Sequence, residues 1–250
     1  DMYDGMMDAC EYAGGAIIGG DVVRSDTFFV TVALEGVCDV GSHVMSRGAA
    51  RVGDLIGVTG HLGCSAGGLA LLLEDDTDRA DSDESRAHLI RAHNRPLPRV
   101  EEGRLLRDIS VRCAMDVSDG LTADLGKLCA ASGVSAVVEV ENLPADRHLR
   151  NTFPGGWREF ALGGGEDYEI VFTASAGIME VASERLGERV SVIGRIEEGY
   201  GSEIIETDHL HTSPIPFKEE GNAQSSPVRI LDADGRSLEL KSGGWDHFGV

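Results

Sequence analysis

The chain has 250 residues, and its 43 acidic against 22 basic side chains give a formal net charge of −21. This charge argues against nonspecific binding to nucleic acid or to an anionic membrane surface, and no stretch of about 18 apolar residues predicts a membrane-spanning helix. The five cysteines show no CxxC spacing, which favours reduced structural thiols and a cytoplasmic location.

Apolar periodicity, together with glycine and proline stops, predicts alternating helices and strands. In the first half we expect a helix at 2–13, strands at 16–23, 27–38 and 55–60, a glycine turn and helix at 61–73, an acidic loop at 74–85, and helices at 86–100 and 100–109. In the second half we expect a strand ending near Met115, a turn at 116–120, a helix to Ala131 closed by Gly133, strands at 134–141, within 160–174 and at 189–199, a helix at 176–187, an irregular segment at 207–226 and a hairpin at 228–240. This alternation predicts an α/β or α+β fold rather than a helix bundle or a β-sandwich.

The stretch AMDVSDGLTADLGKL (114–128) brings Asp116 and Asp119 close together in a chain that is already acidic. One interpretation is structural: Ser118 or Asp119 caps the helix that begins at Leu121 by accepting from its backbone N–H groups. The other is functional: the two carboxylates bind Mg²⁺ at a helix N-terminus while Ser118 contacts a phosphate oxygen of a nucleotide. The residues alone leave both interpretations open.

Two turns of small residues near the start of the chain could lie against a phosphate. The GGD sequence at 19–21 is typical of a tight bend, but Gly20 would also let a phosphate approach the backbone while Asp21 binds a metal ion. In SRGAARVGD (46–54), Arg47 is either an ordinary surface arginine or a bidentate phosphate ligand.

Two later motifs could contact a second ligand. In GGGEDYE (163–169), the glycines permit close approach and Glu166 could reach a ligand, although an acidic turn at a strand end explains the motif equally well. In the terminal GGWDHF, Trp245 either plugs the core or stacks on a heteroaromatic ring.

The chain has no GxxxxGK[ST] loop, no kinase HRD or DFG set and no HExxH helix. Its eight histidines show no metal-ligand spacing. We also identify no side-chain nucleophile of the usual kind and predict no catalytic one.

Taken in order, the motifs resemble one enzyme family over nearly the whole chain. They are GGD, RGAARVGD with VTGHLGCSAGGLALL, HNRPLPR, AMDVSDGLTADLGKL, LGGGEDYEIVFTA, IGRI and GGWDHF. The sequence resembles the thiamine-monophosphate kinase family, in the superfamily of aminoimidazole ribonucleotide synthetase and selenophosphate synthetase. GGEDYE and the terminal GWDHF are the motifs most like the thiamine branch.

The resemblance implies ATP-dependent phosphorylation of thiamine monophosphate to thiamine diphosphate by direct transfer, with several Mg²⁺ ions. It implies that Asp21, Asp116 and Asp119 bind metal and that Gly20, Asp21, Arg47 and Ser118 contact ATP. It further implies that Glu166 and Trp245 contact the thiamine substrate.

The resemblance also predicts how the chain is divided. Residues 1–39 would be a remnant of an N-terminal nucleotide- and metal-binding domain, and residues 40–250 a C-terminal α/β domain. The family's upstream stretch with further metal-binding aspartates is absent, and members form homodimers through strands of the first domain. Two alternatives therefore stay open: another ATP-using member of the superfamily, or an inactive nucleotide-binding fragment.

Overall fold

The computed structural model of the chain describes residues 2–37, 43–73, 82–199 and 226–238. The chain forms two compact units, Asp1–Val44 and Met45–Val250. The boundary predicted from the sequence, at 39/40, falls near this division, but the origin of the first unit stays a prediction. None of the helices in the described ranges is long and apolar enough to cross a bilayer.

The first unit contains one helix, and the rest of its described backbone is irregular. Helix α1 (Met2–Ala13) confirms the helix expected there. The strands expected at 16–23 and 27–38 are wrong for the described residues, because no strand ladder includes them. An apolar run becomes a strand only when a neighbouring strand satisfies its backbone groups. Without one, Phe28 and Leu34 are 82% and 95% exposed.

Within the described residues, the second unit is built on a seven-stranded sheet. Its strands are β1 (Leu55–Thr59), β2 (Cys113–Val117), β3 (Val134–Glu139), β4 (Glu169–Ala174), β5 (Val190–Glu198), β6 (Val228–Leu231) and β7 (Ser237–Leu238). Its helices are α2 (Cys64–Leu73), α3 (Asp83–Asn94), α4 (Val100–Asp108), α5 (Leu121–Ser132), α6 (Arg147–Thr152), α7 (Trp157–Gly163) and α8 (Ala176–Leu186). Short 3-10 turns occupy Val140–Asn142 and Gly187–Arg189.

The strand order across the sheet is β2-β4-β1-β5-β3-β6-β7. Neighbouring strands are antiparallel except β3 and β6, which run parallel. The mixture of helices and strands confirms the expected α/β class. The order also places β2 at one edge, with β4 as its neighbour, so the turns at the ends of these two strands lie side by side.

Helices cover both faces of this sheet, as the alternation of β4 shows. Val171 belongs to the larger apolar cluster, which includes residues of α2, α3, α5 and α7. The next residue, Phe172, belongs to the second cluster, with α4 and α8. Successive side chains of a strand point to opposite faces of the sheet. Because Val171 and Phe172 are both apolar, both faces of the sheet are expected to be buried at β4.

Elements with strong local signals are confirmed, and elements without them were missed. Helix α5 ends before Gly133, whose φ of 67° is the left-handed conformation expected of a closing glycine. Strands β6 and β7 form the expected hairpin. Helix α3 instead begins inside the loop expected at 74–85, because the Ser82 side chain accepts from the backbone of Ser85 and caps it. Helices α6 and α7 were not predicted.

The contact between β5 and β3 can be tested with a pair of glycine substitutions. A Cβ at Gly194 would overlap the carbonyl oxygen of Val137 on the adjacent strand, which cannot move aside. We expect Gly194→Ala to lower the free energy of unfolding by about 1–3 kcal/mol. Gly126→Ala is the matched control: it lies inside α5 with nothing near its added Cβ and should gain about 0.5–1 kcal/mol. Equal effects of the two in urea unfolding followed by circular dichroism would contradict this packing.

Candidate functional site

The paired aspartates lie at the end of β2 and in the turn that follows it: Asp116 is the last but one residue of the strand, and Asp119 belongs to the turn before α5. Gly120 precedes the helix with φ 108° and ψ 150°, and no side chain caps the helix there. Gly120, and not Ser118 or Asp119, therefore occupies the N-cap position of this helix. Gly120 is required for a different reason: its backbone is in a region that L-residues avoid, and a Cβ there would lie 2.8 Å from the carbonyl group of Gly163.

Asp124 organises this turn from one helical turn further along. Its carboxylate is fully buried, and Oδ2 accepts from the backbone N–H groups of Ser118 at 2.8 Å and Asp119 at 2.9 Å. The Nζ of Lys127 lies 2.7 Å from the other oxygen of Asp124 and also pairs with Asp119. The ammonium thus compensates two carboxylates that would otherwise repel each other.

Asp116 is exposed near the end of β2, just before the turn. It has no ion-pair partner among the described residues. Mg²⁺ prefers carboxylate oxygens and is commonly held by one or two of them together with substrate phosphates. Asp116 and Asp119 fit that requirement. Neither here nor elsewhere in the described part of the chain is a group of three histidine, cysteine or acidic side chains arranged to hold a metal ion.

The glycine-rich segment after α7 is joined to this turn by its backbone. The N–H of Glu166 donates to the carbonyl of Ser118 at 2.8 Å, and that of Tyr168 donates to Val117 at 2.9 Å. Glu166 and Tyr168 have φ values of 66° and 52°, which non-glycine residues rarely adopt. Such backbone strain often occurs at functional sites. The structure therefore brings Asp116, Ser118, Asp119 and Glu166 together.

Tyr168 is a member of this group that the sequence analysis missed. Partial burial raises the pKa of its phenol, and the neighbouring carboxylates of Glu166, Asp116 and Asp119 raise it further. The ring is 41% exposed. An aromatic ring surrounded by three carboxylates is suited to a ligand with a cationic ring.

Asp167 points away from this group and binds the start of α2. Its oxygens accept from the backbone N–H groups of Gly63 at 2.6 Å and Ser65 at 3.1 Å. A carboxylate at a helix N-terminus satisfies donors that the helix itself leaves unpaired. Burial raises the pKa of Asp167 to about 7, although these two hydrogen bonds oppose the shift.

Ser65 is the central residue of a Gly-Cys-Ser-Ala-Gly sequence, the GxSxG spacing of hydrolase nucleophiles. Its Oγ lies 3.0 Å from Nδ1 of His93, and a carboxylate oxygen of Glu166 lies 3.8 Å from the same nitrogen. A triad would place the serine and the acid on opposite ring nitrogens. Ser65 is also buried and does not have the strained backbone of a nucleophile turn, so the expectation of no side-chain nucleophile stays in place.

Glu169 anchors the other end of the segment. It is 4% exposed, and both of its oxygens accept from the guanidinium of Arg99 at 2.6 Å. The hydroxyl of Thr59 donates to it at 2.7 Å. The partner of Arg99 is thus a buried carboxylate 70 residues away in the sequence.

Of the remaining predicted site residues, only Arg47 belongs to the described part of the second unit. Arg47 is on a turn whose carbonyl accepts from Ser132 at the last residue of α5, so its backbone lies about 18 Å from the start of that helix. The structure does not bring it to Ser118. Gly20 and Asp21 belong to the first unit, where Asp21 accepts from the backbone of Val22 at 2.8 Å. Trp245 lies outside the described residues.

Lys127 and Asp124 could have been found from the sequence, since they lie three residues apart on one helix face after the SDG turn. Tyr168 carries no such signal. Its role depends on a φ value and on neighbours from another strand, and neither can be read from its local sequence.

Comparison with known proteins supports the same family that the motifs resemble. Residues 51–206 match the family model described as AIR synthase related protein, C-terminal domain. Thiamine-monophosphate kinase of Bacillus subtilis (strain 168) is 36% identical over 99% of this chain and 69% of its own length. The enzyme of the same name from Salmonella typhimurium is 39% identical over 77% of this chain and 59% of its own.

A solved structure gives the same result for the fold. AaThiL complexed with AMPPCP and TMP has a TM-score of 0.59 and 30% identity, over 82% of this chain and 55% of that one. The chain thus spans little more than half of the length of some of the proteins that it matches.

The pKa of Asp167 predicts a specific pH dependence of stability. In the unfolded chain this carboxyl loses its proton near pH 4, whereas in the folded chain it keeps the proton to about pH 7. Between these values the folded state binds more protons, so this group makes stability fall as pH rises. Asp167→Asn cannot titrate, and its unfolding free energy relative to the unsubstituted chain should rise over that range, by no more than about 1.4 kcal/mol per pH unit.

The measurement is urea unfolding at several pH values. Asp108→Asn, on the exposed surface of α4, is the control. Its unfolding free energy should change with pH in the same way as that of the unsubstituted chain. If the difference in unfolding free energy between Asp167→Asn and the unsubstituted chain stays constant from about pH 4 to 7, the pKa of Asp167 is not raised.

Proposed function

We propose that this chain takes part in the ATP- and Mg²⁺-dependent phosphorylation of thiamine monophosphate to thiamine diphosphate. The reason is that the chain belongs to the thiamine-monophosphate kinase family. The reaction transfers a phosphoryl group directly between two anions. Such transfer depends on positioning and on charge neutralisation rather than on a protein nucleophile.

The single observation that carries the proposal is the pair of backbone hydrogen bonds between the two turns. They join Glu166 to Ser118 and Tyr168 to Val117. The residues proposed to hold the nucleotide are therefore adjacent to the residue proposed to hold the acceptor. Direct transfer requires this, because donor and acceptor must meet within van der Waals distance.

On this proposal, Asp116 and Asp119 hold Mg²⁺, and Ser118 donates to a phosphate oxygen. When bound, the ion would neutralise phosphate charge and orient the oxygens. Asp124 and Lys127 act differently. Asp124 fixes the backbone of the turn, and Lys127 limits the repulsion between the carboxylates around it.

Glu166, Tyr168 and Trp245 are proposed to contact the thiamine moiety. The thiazolium ring of that substrate is cationic, and it would lie favourably against the ring of Tyr168 and the carboxylate of Glu166. AMPPCP and TMP, the ligands of the solved relative, are an ATP analogue and a phosphorylated compound. Both would find complementary groups at the two hydrogen-bonded turns, 118–120 and 164–168, which we call the joined turns.

Further parts of the proposal concern residues that do not belong to these two turns, and the assembly and location of the protein. Gly20, Asp21 and Arg47 are proposed to contact ATP, with Asp21 also on a metal ion. We also propose a homodimer and a cytoplasmic location. The exposed apolar side chains of the first unit, Phe28 and Leu34 among them, support a further contact surface on that unit.

A second candidate is a nucleotide-binding protein without kinase activity. The observation that favours it is that no group of three potential metal ligands occurs among the described residues. The two candidates differ in one respect: both bind ATP with Mg²⁺, but only the kinase forms thiamine diphosphate. A third candidate, another ATP-using member of the superfamily, would release ADP with a different acceptor.

The deciding experiment is turnover of the full chain with ATP, Mg²⁺ and thiamine monophosphate, followed by chromatography. Thiamine diphosphate formed in step with ADP is the expected result. Nucleotide binding without product would favour the second candidate.

A variant tests the assignment of Asp116. Asp116→Asn should weaken Mg²⁺-dependent binding of ATP, measured by calorimetry, by about tenfold or more, because it removes a charged metal ligand. It should leave the fold intact, since the side chain is exposed. Asp108→Asn, an equally exposed carboxylate on α4, is the control and should bind ATP normally. Loss of folding in Asp116→Asn, or unchanged ATP binding, would contradict the assignment.

A further inference from the structure

A pocket of about 260 Å³ lies beside helix α3, and nothing in the proposed kinase reaction uses it. Side chains of α3, of the segment 95–99 and of the acidic segment 167–169 line it. Ligand pockets usually combine an apolar wall with a few convergent polar groups. Here Ala92, Pro96 and Leu97 supply the apolar wall.

The polar groups of this pocket are mainly basic. His88, Arg91 and Arg95 follow one another at helical spacing on α3 and its C-terminal cap, which places them along one face. His61 lines the same pocket. Such a concentration of basic side chains is unexpected in a chain whose net charge is −21.

The acidic residues of the lining are already satisfied by other partners. Glu169 accepts both hydrogen bonds of the Arg99 fork. Asp167 accepts from two backbone N–H groups at the start of α2. Asp146 caps α6 by accepting from the N–H of His148 at 2.7 Å and also lies 3.8 Å from His88.

Arg91 and Arg95, by contrast, have no ion-pair partner within the described ranges. Their charges are permanent, and both side chains line the pocket while staying exposed to solvent. An anion that enters the pocket would therefore meet two uncompensated guanidinium groups. Burial lowers the pKa of His88, and the carboxylate of Asp146 opposes that shift.

We propose that this pocket binds a small phosphate-bearing molecule, inorganic phosphate or a phosphate monoester, through the guanidinium groups of Arg91 and Arg95. Guanidinium matches phosphate oxygens in bidentate geometry, and such charged hydrogen bonds are the strongest of their class. The pocket volume suits a small ligand rather than a whole nucleotide.

The pocket is distinct from the joined turns. His93, the α3 residue beside Glu166, lies five positions from His88 and faces another side of the helix. A ligand in the pocket should therefore affect His61 and His88 but not His93.

The test is a titration of the full chain with inorganic phosphate at constant ionic strength, followed by the NMR signals of the histidine rings. His61→Gln, His88→Gln and His93→Gln assign the signals. We expect saturable shifts for His61 and His88. In the double variant Arg91→Gln/Arg95→Gln the affinity should fall about tenfold or more. Arg104→Gln, which removes an exposed arginine of α4 that is outside the pocket, should leave it unchanged.

Further arms of the titration use thiamine monophosphate and unphosphorylated thiamine. A response to inorganic phosphate and to thiamine monophosphate, but not to thiamine, supports recognition of the phosphate group itself. A response to inorganic phosphate alone also supports the site and identifies free phosphate as its ligand. The proposal is overturned if no saturable shift occurs, if thiamine reproduces the shift, if the double variant binds as before, or if only the His93 signal moves.

Discussion

Two backbone hydrogen bonds, from Glu166 to Ser118 and from Tyr168 to Val117, hold the candidate site together. They extend the pairing of β2 and β4 by a few residues past the ends of both strands. Everything else around the site depends on this junction. It places Glu166 beside the paired aspartates, turns Asp167 towards α2 and leaves Glu169 inside the protein, against Arg99.

The junction is stabilised by buried carboxylates that are each paired with hydrogen-bond donors and a cationic side chain. Asp124 and Glu169 lose their hydration on folding, which costs several kcal/mol per charge unless hydrogen bonds and counter-charges replace it. Asp124 has two N–H donors and Lys127, and Glu169 has Arg99 and Thr59. Removing one partner would leave a buried charge uncompensated. This arrangement favours one geometry of the two turns over others, which suits a site that acts by positioning.

The sequence predicted those features that depend on residues close together in the chain, and failed for those that depend on residues far apart in it. Helix α5 with its closing Gly133, and the hairpin of β6 and β7, follow from a few adjacent residues and were predicted. The strands expected at 16–23 and 27–38 require partners elsewhere, so their apolar pattern alone misled. The pair of Arg99 and Glu169 spans 70 residues and has no local signal. The site residues Asp116, Ser118, Asp119 and Glu166 came from motif resemblance, and the structure adds that they are neighbours.

The central claim is that the two turns form one preformed unit. Amide hydrogen exchange of the full chain tests it most directly, through the N–H groups of Glu166, Tyr168, Ser118 and Asp119. The account predicts that the amides of Glu166 and Tyr168 exchange as slowly as those of the ladder between β2 and β4, because opening them requires separating the ends of the strands. The amides of Ser118 and Asp119 donate to the buried carboxylate of Asp124, so we expect them to be protected as long as that side chain stays in place. Exchange of the Glu166 and Tyr168 amides at the rate of an unfolded chain would show that the turns move independently, and would contradict the account.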